Sequence, residues 1–593
     1  MFAQDEDVHA GERDGIGAAS PGCGFVGQVM FGVAVRAASR LADSGHRIVG
    51  LLRGVELATI ALLGHLAKNA ILRIGCTKVP GWSTICFLWC ELDREVLVIP
   101  SHLLSSRPMV GRPVVIKHSR VRNSLCWALP VAMTLLFGLF RITRDGSIWR
   151  DEAVTFNMAQ RAPSSLWDTI LNSDAVHGLY YFLMHLVFGV FGANVYALRV
   201  PSVIATVAAV VGVVALGRRL ATPLFGCVAG LIYGLLPLVQ QYAQEGRSYA
   251  LVSALVIWMT YVFTSAELCS GRLSQVTYCL LGVFAVNLHE FAILAVAAHG
   301  VSILLSESGC TRRDTLRIWT LISLPILAAV VPVAFISFQQ SEQVGWIGWP
   351  EPASLIIFVI GTWAIHKLRT ISDPGPRATR LYSLSASLMA VPAGLLLMAG
   401  IYQPMYVDRY VLYGMAGFSL AGAALLTRAW EFCAGPQRTR LILAIMLCLL
   451  ALIPQSLSLR RPESRVDNAS AVTKVVEKVS RSGDGILYIP GRRRVWTAVT
   501  PNAYGHLKDL ALAQSPSGSH TLYGAEVAAG QVQERVISSR RIVTLEDPET
   551  PDIRSEEQED AAKRRVLKNF YTRCSSKEVR GALINVYVRG GCS

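Results

Sequence analysis

Charge is scarce in this chain. Asp, Glu, Lys and Arg make up 16% of its 593 residues, where a soluble globular domain carries roughly one-quarter, and that excludes an ordinary aqueous enzyme. Cysteine is sparse and scattered: the 13 residues form no Cys-x-x-Cys pair and no Cys/His ligand spacing, so neither a zinc site nor a redox motif is indicated. Obvious internal repeats are missing too, which speaks against the paired halves common in transporters. No cleavable signal sequence is evident, because the early apolar stretch is interrupted by charge.

What fills the chain instead is apolar. Hydrophobic residues account for 52% and the mean hydropathy is +0.42, as in a protein that crosses a membrane repeatedly. The net charge of +15 does not point to nucleic acid, since a basic total matters only where Lys and Arg share one accessible face. Here many of them lie in short loops between apolar runs, which bears on membrane orientation.

The expected architecture is a polytopic α-helical membrane protein of about eleven transmembrane helices with a small extracytoplasmic α/β domain. Residues 1–120 read as an N-terminal extension, poorly ordered or, near 47–75, an amphipathic surface helix; an over-long start assignment is the alternative. Residues 121–457 hold the spans, at about 124–140, 199–216, 223–240, 249–264, 276–288, 291–306, 318–337, 352–366, 382–401, 411–427 and 439–457. Several are shorter than the roughly 20 residues a crossing needs, so their ends extend into flanking residues. Residues 458–593 read as the α/β domain, with strands near 485–490 and 582–588, a helix over 469–480 and a disordered acidic linker near 545–562. Cys574 and Cys592 can pair if this domain lies outside the cell.

Loop charge sets the orientation. With the start of the first span inside, the inside loops hold Arg218, Arg219, Arg272, Arg312, Arg313, Arg317, Lys367, Arg369, Arg377, Arg380, Arg428 and Arg438, and the short outside loops hold only Arg247 and Arg409. That bias follows the positive-inside rule. It requires Tyr180–Gly189 to lie on the outer leaflet as an interfacial helix, because one more crossing would invert every later loop.

On this threading the unusual polar residues share the outer face: Asp151 and Glu152; His177 and Tyr181; Gln244, Glu245, Arg247 and Tyr249; His289 and Glu290; Gln343 and Trp346; and Tyr402, Tyr406, Asp408, Arg409 and Tyr410. Singly, any of them can be an interfacial anchor, and Tyr406 and Tyr410 fit an aromatic belt as well as a sugar contact. Together they assemble the parts for group transfer. A carboxylate can take a proton from an attacking hydroxyl, arginine can grip a phosphate with forked hydrogen bonds, and tyrosine or tryptophan can face a sugar ring.

The runs Trp149-Arg150-Asp151-Glu152, His177-Gly178-Leu179-Tyr180-Tyr181, Ala197-Leu198-Arg199-Val200-Pro201-Ser202, Gly217-Arg218-Arg219-Leu220 and Gln244-Glu245-Gly246-Arg247-Ser248-Tyr249 resemble, in order and spacing, the GT-C superfamily of integral membrane glycosyltransferases. The branch they resemble is glycosyltransferase family 39, the protein O-mannosyltransferase and aminoarabinose transferase group. The resemblance covers about 124–430. It implies a hexose, mannose first among them, carried on polyprenyl phosphate, and a protein, glycan or lipid acceptor on the outer side of the plasma membrane. It also implies an essential acid in the first outer loop. Carried onto this chain, Asp151 is the candidate base with Glu152 beside it. His177, Tyr181, Glu245, Arg247 and Arg409 are donor or phosphate contacts, and Gln244, His289, Glu290, Trp346, Tyr406 and Asp408 are candidate substrate contacts. Relatives often carry Pro-Pro after the His177 position, where this chain has Gly178 and Leu179, and many carry an Asp-containing motif in the second outer loop, where this chain has Glu245-Gly246-Arg247. No metal and no cofactor are expected, since arginine suffices for a monophosphate leaving group. A lipid-linked sugar flippase or other transporter, and a non-catalytic membrane scaffold, are the alternatives.

Overall fold

Helices dominate 116–458 because the apolar runs leave the backbone no partner but itself. The computed structural model describes residues 116–593 apart from 270, 307–311, 341–346, 351–358, 360, 364, 368–374, 549–557 and 593. The expected extension, apart from its last residues, most of the expected span 352–366, and the candidates Gln343 and Trp346 therefore lie outside the described residues.

Among the described residues, six helices are long and apolar enough to cross a membrane, and a bent pair makes a seventh. The six helices include Ile116–Leu139, Val195–Leu220, Arg312–Gln339, Pro376–Ala399, Met415–Phe432 and Pro436–Ser458. The bent pair is Pro223–Leu235 and Pro237–Ala243, which meet at 66° where Pro237 removes an amide donor. Gln240 donates to the Leu235 carbonyl at 3.1 Å, replacing a bond lost at the break. Tyr249–Phe263, Arg272–Leu288 and Ile293–Leu305 have 15, 17 and 13 residues. At about 1.5 Å per residue they cannot cover about 30 Å of hydrocarbon by themselves.

Local signals explain the turns. Asn194 and Thr222 accept the Ala197 and Phe225 amides at 3.0 and 3.1 Å, capping two successive helices. Where those helices cross, a Cβ on Gly217 would stand 2.6 Å from the Gly226 Cα, the close approach that small residues permit.

Successive helices run in opposite directions. At one end of the bundle Arg218 donates to Asn123 and Ser383 to the Leu305 carbonyl. At the other, Gln244 donates to the Gly138 and Phe140 carbonyls, Gln340 to the Ile170 and Leu171 carbonyls, and Tyr413 to the Phe291 carbonyl. The loops that loop charge assigns to one face thus meet at one mouth. Across it lie helices Arg150–Ala159, Pro163–Ser173 and Gly178–Phe191, the last containing the segment expected to be interfacial.

The C-terminal domain is a five-stranded sheet in the order β2-β1-β5-β7-β6, with β1 Gly485–Ile489, β2 Lys508–Asp509, β5 Arg541–Glu546, β6 Thr572–Val579 and β7 Ala582–Val588. A small hairpin of β3 Leu512–Gln514 and β4 Ala525–Glu526 stands apart. Strand β1 runs parallel to β2 and β5, and β7 is antiparallel to β5 and β6. It is buried along its whole length, which is why Ile486-Leu487-Tyr488-Ile489 reads as unbroken apolar sequence. Leu487, Ile489 and Ile542 pack with Val532, Val536 and Val566 from two helices on one face. Ile486, Tyr488, Val543 and Ile584 on the other face join Val472, Val476, Ala153 and Phe156 in a core continuous with the mouth. The expected linker near 545–562 is overlapped at both ends: β5 holds to Glu546 and helix Gln558–Phe570 begins within it, because Ile542–Glu546 of β5 and one face of that helix are buried. Cys574 and Cys592 are joined as a disulfide.

Candidate active site

The two adjacent acids point to different places. Helix Arg150–Ala159 turns its side chains by about 100° per residue, so Asp151 faces the mouth while Glu152 faces inward. Asp151 keeps 17% of its side-chain surface exposed and meets Arg150 and Arg409 at 3.8 Å each. Glu152 is fully buried. It accepts from Arg199 at 2.7 and 2.6 Å, from Arg144 at 3.3 Å and from the Gly246 amide at 3.1 Å. Burial alone would raise the Glu152 carboxyl, but Arg199 and Arg144 outweigh it and hold the pKa down at about 2. Arg199 also donates to the Ile142 and Ser147 carbonyls, so this buried cluster ties the loop before helix Arg150–Ala159 to helix Val195–Leu220. A Cβ on Gly246 would stand 2.5 Å from the Leu198 side chain, so a larger residue there would displace Leu198.

The loop that follows the bent pair divides in the same way. Gln244 is buried and satisfies carbonyls at the C-terminal end of helix Ile116–Leu139, leaving its amide no hydrogen for a substrate. Glu245 is buried against Arg465 at 3.2 Å, and burial pushes its carboxyl up while Arg465 pulls it down. Arg247 turns to the mouth and donates to the Tyr181 hydroxyl at 3.2 Å. Tyr181 in turn donates to Asp174 at 2.5 Å, whose carboxyl is raised by burial against the pull of Arg247. Arg247 lies close enough to Asp151 for their charges to interact.

Aromatic rings line the space between. His177 lies 5.7 Å from His289 and 6.2 Å from Tyr249, and His289 lies 4.7 Å from Tyr410, centroid to centroid. The Arg409 guanidinium stands 5.6 Å from the Tyr249 ring and 5.7 Å from the Tyr410 ring. Asp408 accepts from the Arg409 amide at 2.7 Å and from Tyr242 at 3.2 Å, fixing the turn that carries Arg409. The His177 Nδ1 and Arg247 Nε atoms are buried without a hydrogen-bond partner.

Asp151, His177, Tyr181, Arg247, His289 and Arg409 are therefore brought together. Glu290 is not among them: it accepts from Ser337 on helix Arg312–Gln339 at 3.2 Å. Tyr406 packs with Ala393, Leu396 and Val411, and Tyr402 is exposed. Among the described residues, no three His, Cys, Asp or Glu side chains gather as a metal site would need.

No protein-family model matches the sequence, and no curated protein matches it. Among solved structures the chain is similar to ArnT from Cupriavidus metallidurans bound to undecaprenyl phosphate, at 10% identity and a TM-score of 0.45, over 80% of this chain and 97% of that one. It is also similar to the oligosaccharyltransferase AglB from Archaeoglobus fulgidus in complex with an inhibitory peptide and a dolichol-phosphate, at 10% identity and 0.43, over 77% and 74%. A further likeness is to the arabinosyltransferase EmbB from Mycobacterium smegmatis, at 15% identity and 0.35, over 67% and 36%.

Three residues at or beneath the mouth carry a sequence signal although no role was expected of them. Arg199 is an ionisable residue in the first turns of an apolar helix, where charge is expensive. Asp174 stands three residues before His177. Arg144 lies only eight residues before Glu152. Arg465, beyond the last span, had no local signal, since its partner is Glu245, from another loop.

Proposed function

We propose that this chain is an integral membrane glycosyltransferase that moves a hexose, mannose first, from polyprenyl phosphate to a protein, glycan or lipid hydroxyl on the extracytoplasmic side of the plasma membrane. The observation that carries this reading is the loose pairing of Asp151 with Arg409 at 3.8 Å at a mouth lined by Arg247, His177, Tyr249, His289 and Tyr410. Asp151 takes the proton of the acceptor hydroxyl while that oxygen bonds to the anomeric carbon. The bond from that carbon to the phosphate oxygen breaks, its electron pair leaves with polyprenyl phosphate, and the configuration inverts. Arg409 and Arg247 offset the charge that builds on the phosphate. Tyr249, Tyr410 and His289 offer ring surface to the sugar. Glu152 holds the loop from beneath and touches no substrate.

The extracytoplasmic assignment draws on two features. Arg218, Arg219 and Arg272 lie at the end of the bundle away from the mouth, and Cys574 and Cys592 are bonded in the domain that covers the mouth, as an oxidising compartment permits. The test is release of free polyprenyl phosphate from a panel of polyprenyl-phosphate sugars by the purified chain. Asp151→Asn lowers transfer by about 10²- to 10⁴-fold, the worth of a general base, with donor binding and folding retained. Near-normal turnover in that variant overturns the assignment.

A further inference from the structure

Helix Arg150–Ala159 begins without a cap of its own, for Trp149 offers its first turn no side-chain hydrogen bond. Such amide groups are usually satisfied from the residues just before the helix. Here the acceptor comes from 317 residues downstream: Asp467 Oδ1 takes the Arg150 N–H at 2.7 Å, and Asp467 is itself buried. Two more bonds join the same segments. The Ala469 amide donates to the Ile148 carbonyl at 2.8 Å, and the Ser470 hydroxyl donates to the Gly146 carbonyl at 2.6 Å.

The downstream segment is held from behind by the turn between β6 and β7. Arg580 Nε donates to the Arg465 carbonyl at 2.6 Å. Gly581 has φ +77°, and a Cβ on it would stand 2.7 Å from both the Asp467 Cα and the Val466 carbonyl oxygen. Only glycine lets the turn rest there. A continuous path of contacts thus runs from the sheet hairpin through 465–467 to the amide next to Asp151.

We propose that Asp467 is a positioning residue for Asp151, through which the C-terminal domain sets where the catalytic helix begins. This rests on the reading of Asp151 as the base. The same contacts make the domain a required part of the site, since a reacting group misplaced by about 1 Å can lose about 10²-fold in rate. The bond needs an acceptor oxygen and not a charge, and that separates positioning from an electrostatic effect of Asp467 on its neighbours.

The experiment uses the full chain in detergent with Asp467→Ala, Asp467→Asn and Gly581→Ala. Asp467→Ala lowers kcat for polyprenyl phosphate release by about 10- to 100-fold and leaves the donor KM unchanged. Asp467→Asn, whose amide oxygen still accepts, restores most of the rate. Gly581→Ala, which touches no substrate, lowers kcat in the same direction. Hydrogen–deuterium exchange without substrate reads the clamp independently: peptides over 148–156 exchange faster in Asp467→Ala and Gly581→Ala and at the wild-type rate in Asp467→Asn. Wild-type exchange in Asp467→Ala, equal loss in the Asn and Ala variants, or a loss confined to KM overturns the proposal. A wild-type chain that consumes no polyprenyl-phosphate sugar sinks the transferase reading instead, while the exchange data still judge the clamp. If Asp467→Ala fails to fold, Asp467→Asn and Gly581→Ala decide.

Discussion

The C-terminal domain and the mouth both gather charge, and they hold it differently. In the domain Arg494 meets Asp509 at 2.6 Å and Glu526 at 2.7 Å, and Lys563 meets Glu526 at 2.5 Å and Asp560 at 2.7 Å. At the mouth Asp151 meets its ion-pair partners among the described residues, Arg150 and Arg409, at 3.8 Å, beyond hydrogen-bond length. Both regions also keep buried polar atoms without a hydrogen-bond partner among the described residues, His177 Nδ1 and Arg247 Nε at the mouth and Arg493 Nη1 and Asn585 Oδ1 in the domain. A buried polar atom left unsatisfied costs about 1–3 kcal/mol, a cost that a bound phosphate or sugar can remove at the mouth. Tight mutual pairs fix a shape, whereas loose ones leave room for a ligand. Glu152 belongs to the mouth by sequence and to the first kind by construction, with Arg199 at 2.6 and 2.7 Å.

The largest expected effect follows from that construction. Glu152→Gln leaves Arg144 and Arg199 buried without their counter-charge, at about 3–5 kcal/mol, a large share of the roughly 5–15 kcal/mol that holds a typical fold together. The expected result is a collapse in recovered monodisperse protein and in the thermal unfolding midpoint in detergent. The acid limb sharpens the test. The folded-state pKa of Glu152 lies near 2, below its ordinary 4.5, so its stabilisation is complete above 4.5 and is lost as pH falls toward 2. Wild-type protein loses stability through that window, and any Glu152→Gln protein recovered lacks this component. Full stability in the variant removes Glu152 as a strut.

Arg409 comes next, because its contact with Asp151 is loose and its expected work is on the donor. Arg409→Ala raises the donor KM by about 10- to 100-fold, the equivalent of a charged hydrogen bond at about 1.5–3 kcal/mol, with little change in thermal stability. Arg409→Lys recovers part of the loss, since a point charge lacks the guanidinium fork. A donor titration with unchanged KM in the Ala variant moves the phosphate away from Arg409 and leaves Arg247 as the candidate.

How much of this was legible in the sequence depended on the range of the interactions. Hydropathy gave spans whose helices fall close to their expected bounds, as with Val195–Leu220 for 199–216 and Pro436–Ser458 for 439–457, because apolar length is a local property. Loop charge grouped the segments that meet at the mouth. Neighbourhood in sequence did not tell Asp151 from Glu152, since their separation by helical rotation matters only once Arg199 and Gly246 are packed beneath one of them. Gln244 and Glu245 likewise read as site residues, yet one serves the end of a neighbouring helix and the other faces Arg465. The Asp467 contact with Arg150, 317 residues apart, left no trace in local pattern.

The smallest effect tests the other half of the comparison. Glu526 lies on β4 between Arg494 and Lys563, and each of these cations keeps another carboxylate, Asp509 or Asp560. Glu526→Gln therefore costs stability without leaving a cation bare, about 1–3 kcal/mol for the weakened charged bonds, read as a modest fall in the unfolding midpoint. Its kcat and donor KM stay at wild-type values, because the cluster holds its own domain together and does not reach the Arg150 amide as Asp467 does. A tenfold fall in kcat at unchanged stability would show that the tight cluster also tunes the mouth, and the division between charges that hold shape and charges that wait for substrate would then fail.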